Sequence, residues 1–240
     1  MLDIARSELK QILRNRLVLV SATIVPVGLS LLFIAQRDAF SQAPTGIGFL
    51  AGVFMVILIS MGLYATAVST LAARRQTLFL KRLRSTAVSD AAALAGILLP
   101  PVLIAIVQVS AVLTVLALIT DAPAQIPLLI VSGLALVAMM VGLSLATAGF
   151  TTSLEHAQVT TLPVLLATSA AAFWIGFTGT EELAMLKRAL PGGAATELTI
   201  NAWNGGTDLV DNLLLLPPTI AWIAVGVALA QRFFRWEPRR

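Results

Sequence analysis

The chain has 240 residues, of which 58% are hydrophobic and only 12% charged, with a net charge of +4 and no cysteine. A soluble domain carries about a quarter charged residues, so this composition excludes a water-solvated surface over most of the chain and marks an integral membrane protein. Disulfides, iron–sulfur clusters and thiolate metal sites are excluded with the cysteines, and cations gathered at the ends of apolar runs read as topology signals rather than nucleic-acid contacts.

In chain order, Leu2, Ala5, Leu9, Ile12 and Leu13 fall within one arc of a helical wheel, with Arg6, Lys10 and Arg14 following at i+4 beside it. That spacing predicts an amphipathic helix lying in the membrane interface. No small-residue cleavage site follows, so the first apolar run is expected to remain as an anchor. Six apolar runs come next: Leu17–Ala35, Ile47–Ala72, Ala91–Ile119, Ile126–Phe150, Val159–Phe177 and Leu213–Ala230. Each is long enough to cross a bilayer as a helix, which predicts an all-α membrane protein of six spans. With short connections they fill residues 1–240 as a single transmembrane domain and leave no room for a soluble catalytic one.

Thirteen of the sixteen cations fall on one side of this layout: Arg6, Lys10, Arg14 and Arg16, five in the loop after span two, and Arg232, Arg235, Arg239 and Arg240. The other side has Arg37, Lys187 and Arg188 against seven acids. The positive-inside bias therefore puts both termini in the cytoplasm. The C-terminal QRFFRWEPRR mixes aromatics with arginine as an interfacial anchor does.

The loop between spans two and three, RRQTLFLKRLRSTAVSD from Arg74 to Asp90, combines Arg74, Arg75, Lys81, Arg82 and Arg84 with Leu78, Phe79, Leu80 and Leu83. It is longer than a turn requires. A basic cytoplasmic loop with apolar side chains to bury is a candidate docking element; as a plain topogenic loop it would need none of them. The other cytoplasmic connection, SLEHAQ, holds His156 beside Glu155, which reads as a solvated loop and cannot make a metal site unaided.

None of the six runs contains Asp, Glu, Lys, Arg or His, which argues against a proton-coupled carrier. Gln108, Ser110 and Ser60 are candidates to line a pathway, with Thr168 and Ser169 weaker ones. Gln108 is better suited to a hydrogen bond between helices than to a substrate contact. Ala135, Ala138, Gly142, Ala146 and Gly149 form a small-residue stripe in span four that reads as close packing. Pro26, Pro100, Pro101, Pro163, Pro217 and Pro218 predict kinks. No HExxH, GxSxG or GxxxxGK[ST] motif occurs, so the chain carries no catalytic or nucleotide-binding signature of its own.

Between spans five and six, two short helical pieces are predicted, roughly Glu181–Leu190 and Ala194–Trp203, split by Pro191-Gly192-Gly193. Leu183, Leu186 and Leu190 recur on one face of the first. The pair could cap the outer mouth of a pathway or rest on headgroups.

Taken together, these parts resemble the permease subunits of type-2 ATP-binding-cassette exporters. The match is most specific at Leu80-Lys81-Arg82-Leu83-Arg84-Ser85-Thr86, which is similar to the LKRLR-[small]-T segment of the drug and antibiotic export branch, and at Phe234-Arg235-Trp236-Glu237, similar to the family's FRWE close. Two departures stand out: SAAAFWIGFTGTEEL replaces the usual Ser-Gly with following Pro near the outer end of span five, and Ala87 replaces the Pro after the small-Thr pair. The resemblance implies a bacterial inner-membrane multidrug-efflux permease linked to antibiotic resistance. It would work as two six-span subunits, identical or related, with two ATPase subunits that bind the ATP and Mg, this chain holding no cofactor. Leu78, Phe79, Leu80, Lys81, Arg82, Leu83 and Arg84 would form the coupling helix, with Phe79, Leu80 and Leu83 buried in the ATPase. A hydrophobic or amphipathic substrate, such as a drug, antibiotic or lipid, would fit an uncharged pathway. An ATP-independent ion-coupled or facilitative carrier, and a structural subunit of a membrane complex, are the alternatives.

Overall fold

In lipid a backbone has no hydrogen-bond partner but itself, so long apolar runs close into helices. The computed structural model describes residues 2–40, 42–85 and 88–236, and among these the regular structure is all helical. Thr86 and Ala87 of the basic loop, and Glu237, Arg239 and Arg240 of the tail, lie outside the described residues.

The N-terminal helix α1 (Leu2–Arg14) is followed by α2 (Val20–Ala35), into which Arg16–Leu19 leads directly. Five helices are long and apolar enough to cross a membrane: α3 (Gly48–Gln76), α5 (Asp90–Ile119), α6 (Ile126–Phe150), α7 (Leu154–Thr178) and α10 (Leu209–Phe233). The six expected spans are thus five full-length helices plus α2, which alone covers about 24 Å at the helical rise against a hydrocarbon core of about 30 Å. Four short helices complete the described set: Arg37–Phe40 in the connection after α2, α4 (Phe79–Arg84), α8 (Ala184–Ala189) and α9 (Gly193–Asn204).

The buried axis of the bundle is α3. Between Gly48 and Tyr64 every side chain but Met61 is buried, whereas α5, α7 and α10 expose apolar residues such as Val107, Leu118, Leu166 and Ile220. That outward apolar surface is what lipid requires. The small-residue stripe of α6 is packing: a Cβ on Gly226 of α10 would fall 2.8 Å from the Gly142 backbone, and one on Gly149 within 2.8 Å of the Phe233 backbone. Ala138 of the same stripe is exposed and takes no part.

The prolines act in three ways. Pro100 and Pro101 sit inside an unbroken α5. Pro163 and Pro217 open the second segments of α7 and α10, after turns at Thr161 and at Leu214–Leu215, where a missing N–H costs nothing. Pro26 cannot donate to the carbonyl of Ala22 four residues back, and its ring crowds that carbonyl. There α2 widens into a π segment (Val20–Ile24), facing a second one in α3 (Leu58–Ala65). Gln108 of α5 donates through Nε2 to the orphaned Ala22 carbonyl at 3.0 Å.

At the end of the bundle opposite the termini, α8 and α9 fold back between the spans. Gly192, which precedes α9, lies against Leu136 and Thr168, each roughly ten residues, or about 15 Å, down its span. From Gly193 to Ile200 every residue of α9 is buried, and Thr199 and Ala195 hydrogen-bond Ser132 of α6. The segment is therefore inserted among the spans rather than resting outside them. The first piece begins later than expected, after a left-handed Leu183 at φ 55°. Its amphipathic sense is also reversed: Leu183, Met185 and Leu186 point out while Lys187 is 1% exposed. The apolar face meets lipid and the cation faces protein.

Candidate functional site: the basic loop and its anchorage

The loop after α3 is shaped by one backbone position. Leu78 adopts φ 57° and ψ 14°, a left-handed conformation uncommon for a residue with a bulky side chain. It ends α3 and lets the chain turn into α4, whose first backbone bond runs from Arg82 N to Leu78 O at 3.0 Å. Thr77 Oγ1 back-bonds to Ala73 O, and Arg82 Nη2 donates to Thr77 O at 3.2 Å, so the bend is tied from both sides.

Within α4 the side chains divide. Leu80 is fully buried among Ala67 and Leu71 of α3, Ile97 and Leu98 of α5 and Ala148 of α6. That corrects one expectation: Leu80 is no side chain for a partner to bury, because alternation on a helix of under two turns points it back into this chain's own core. Leu83 packs half-buried against the same cluster, and Phe79 is half-buried under the Arg74 guanidinium, 5.3 Å from its ring. Leu78 (47% exposed), Lys81, Arg82 and Arg84 form the outward face.

The two arginines that precede the bend are structural. Arg74 Nη2 donates to Glu8 Oε2 at 2.8 Å and to Gln11, joining the loop to α1. Glu8 is 2% exposed, between Ala5 and Ile12 on the face of α1 that packs against α5. The exposed Leu2, Leu9 and Leu13 on the adjoining side are left to meet lipid. Arg75, also 2% exposed, donates to the Thr151 carbonyl at the end of α6 and to the Arg235 carbonyl of the tail. A cation on terminal carbonyls satisfies both their lone pairs and the negative end of the helix. Arg84 pairs with Asp90 at 3.4 Å and lies 5.5 Å from the Trp236 ring.

At the same end, Ser153 caps the first turn of α7 by accepting from His156 N, and Thr152 Oγ1 lies 3.0 Å from His156 Nδ1. Glu155 sits exposed in the same first turn. The pair is a helix start, not a cluster of ligands.

A helical membrane bundle with a short basic helix inserted between two spans now has a family to be matched with. The model of the ABC-2 type transporter family matches residues 3–172. The chain belongs to that family. No curated protein matches its sequence. It is accordingly the membrane permease component of an ABC transporter rather than the ATPase, and the family implies an ABC ATPase as its partner.

The polar side chains expected along a pathway are placed differently from one another in this permease. Ser60 is fully buried, its Oγ 3.5 Å from Thr168 Oγ1, and Gln108 is enclosed between α2, α3 and α5. Ser110 lines a lateral groove of about 600 Å³ between α5 and α6, with Ile106, Leu113, Thr114, Ile130 and Trp203. The buried charges lie elsewhere. Glu197 of α9 takes a bidentate ion pair from Arg188 of α8, both contacts at 2.7 Å, and a hydrogen bond from Thr180 at 2.8 Å. Lys187 Nζ donates to Thr178 Oγ1 and the Gly179 carbonyl at 2.8 and 2.7 Å, beneath Trp174.

Spacing could have found Glu8, which recurs with Ala5 and Ile12 at intervals of three and four. Nothing local marks Arg75 or Lys187 as buried, because their partners are distant carbonyls and a return turn that only the folded chain brings near.

Proposed function

We propose that this ABC-2 permease forms the membrane pathway of an exporter in which two such subunits, identical or related, assemble with two ATPase subunits. Arg16–Leu19 extends α2 to about 30 Å at the helical rise, which supports counting it as the first of six spans. Eleven of the thirteen cations lie among the described residues, at the end of the bundle that holds α1, the basic loop and the tail, and support a cytoplasmic placement of that end.

The observation that carries the reading is the construction of α4: one face pinned into the bundle by Leu80, the other left outward with Leu78, Lys81 and Arg82. An apolar contact ringed by cations suits an acid-rimmed cleft on a partner. ATP-driven closure of the ATPase pair would displace this helix, and with it α3 and α5, which continue from its two ends. The permease is then a two-state element biased by a ligand held on another chain. The charge-free groove between α5 and α6 favours hydrophobic or amphipathic cargo, a drug, antibiotic or lipid. Drug export rests on the loop and tail motifs alone.

The test is co-purification in mild detergent. Leu78→Asp should release the ATPase from a permease that stays inserted and monodisperse, and an undiminished ATPase would defeat the docking role of α4. Solute movement by the permease alone in liposomes, without ATP, would favour the carrier instead.

A further inference from the structure

The loop 74–85 is continuous with α3 and α5, so its motion reaches those helices through the chain itself. Helices α6 and α10 have no such link, and they cross at the Gly142–Gly226 contact without a side chain between them. Helix α6 meets the loop directly, through Ala148 against Leu80 and the Thr151 carbonyl on Arg75, whereas α10 reaches it through the tail. Phe234 and Trp236 pack against the cluster that buries Leu80, alongside Leu83, and their rings meet edge to face at 5.7 Å. Arg84 of α4 stands over the Trp236 ring. Arg75 reaches the Arg235 carbonyl at 3.5 Å with one nitrogen and the end of α6 with another. At the root of the tail, Phe233 packs against Phe150 with the rings tilted and their centres 4.5 Å apart, and its backbone leaves no room for a Cβ on Gly149. There is little slack between loop and last helix.

We propose that residues 234–236 are a clasp through which displacement of α4 is carried into α10, so that α10 does not depend on its glycine crossing with α6 alone. The clasp is intramolecular: it shares the load of the docking helix and is not itself the docking surface. Its role rests on the reading of α4 as the ATPase contact. Without the clasp, α3, α5 and α6 would follow the ATPase while α10 lagged behind.

The chain has no native cysteine, so spin labels can be placed cleanly at Leu118→Cys on α5 and Leu214→Cys on α10, both exposed at the end far from the loop. The experiment measures their separation in the permease–ATPase complex with and without a non-hydrolysable ATP analogue. In the parent, the analogue is expected to shift the distance distribution. With α10 no longer following α5, Phe234→Ala with Trp236→Ala should change the size of that shift by at least half while the ATPase co-purifies at the same ratio. Should the double variant fail to stay monodisperse, Trp236→Ala alone takes its place, since it removes the edge-to-face contact with Phe234 and the seat of Arg84 while leaving the Arg84–Asp90 pair; it should alter the shift measurably. A shift in the tail variants that is unaltered from the parent's overturns the clasp. Loss of the ATPase from the tail variants alone also overturns it, by making the tail a docking surface. An ATPase that never binds the parent defeats the reading of α4 instead.

Discussion

The side-chain amide of Gln108 donates to the carbonyl of Ala22 at 3.0 Å, at the point where Pro26 leaves that carbonyl without its helical donor. Three helices meet there, α2, α3 and α5, and Gly62 provides the gap, since a Cβ on it would fall 2.8 Å from Gln108 Oε1. Gln108→Leu removes the only side-chain donor to this carbonyl among the described residues and should cost about 1 kcal/mol, the low end for a buried bond, because the amide oxygen itself has no partner among them. Pro26→Ala restores a backbone N–H, so in that background Gln108→Leu should cost markedly less. Thermal unfolding of the four variants in detergent gives the coupling directly; additive costs would disprove the assignment.

The α6–α10 crossing yields an asymmetric pair. A methyl at Gly226 would stand 2.8 to 3.2 Å from backbone atoms of Gly142 and Leu143, which cannot yield, whereas one at Gly142 meets its neighbours at 3.5 Å or more. Gly226→Ala is expected to destabilise by about 1 to 3 kcal/mol, and Gly142→Ala to be tolerated. Gly28→Ala, with nothing within 4 Å, should gain up to about 1 kcal/mol from helix propensity. Melting temperatures of the three single variants decide the order.

These two sites show what could be read in advance. Span positions and the insertion of a basic helix follow from hydropathy and charge, because lipid forces backbone and side chains into one solution. The Gly142 stripe was visible by period, but its partner Gly226 was not, since a lone glycine in α10 carries no pattern. Gln108 announced itself as the most polar residue of its span; that Pro26 needs it depends on which helices become neighbours. The candidate site was legible as a segment and not as a surface. Composition marks 78–84 as basic and apolar, but only packing decides that Leu80 turns inward and Leu78 outward. The return of α8 and α9 into the bundle escaped pattern reading because their polar residues, Lys187 and Glu197 among them, pair within the protein rather than with water.

Glu8 and Arg74 hold α1 against the loop. Glu8→Ala leaves a part-buried guanidinium (18% exposed) with Gln11 as its other α1 contact. The loss should be about 1.5 to 3 kcal/mol, as for a hydrogen bond to a charged group. Its signature is local: proteolysis or hydrogen exchange should report α1 loosening before any span melts. Glu8→Gln, which keeps an acceptor, should lose less than half as much. Equal protection of α1 in parent and Glu8→Ala would show that its apolar face alone secures it.

The last prediction separates backbone from side chain at Leu78. Its φ of 57° is a conformation that costs a branched side chain of order 1 kcal/mol and costs glycine nothing. Leu78→Gly should therefore fold at least as stably as the parent, within about 1 kcal/mol, although it deletes an apolar side chain. Leu80→Ala, by contrast, empties a fully buried site and should cost about 2 to 5 kcal/mol. If the Leu78 side chain is what the ATPase grips, Leu78→Gly loses the partner without losing the fold, and Leu80→Ala loses fold and partner together as temperature rises. Retention of the ATPase by Leu78→Gly would mean that the bend, not the side chain, is what docking needs, and the contact would then have to rest on Lys81 and Arg82. A salt titration of the remaining association would decide between them, since a purely cationic contact weakens steeply with ionic strength and an apolar one does not.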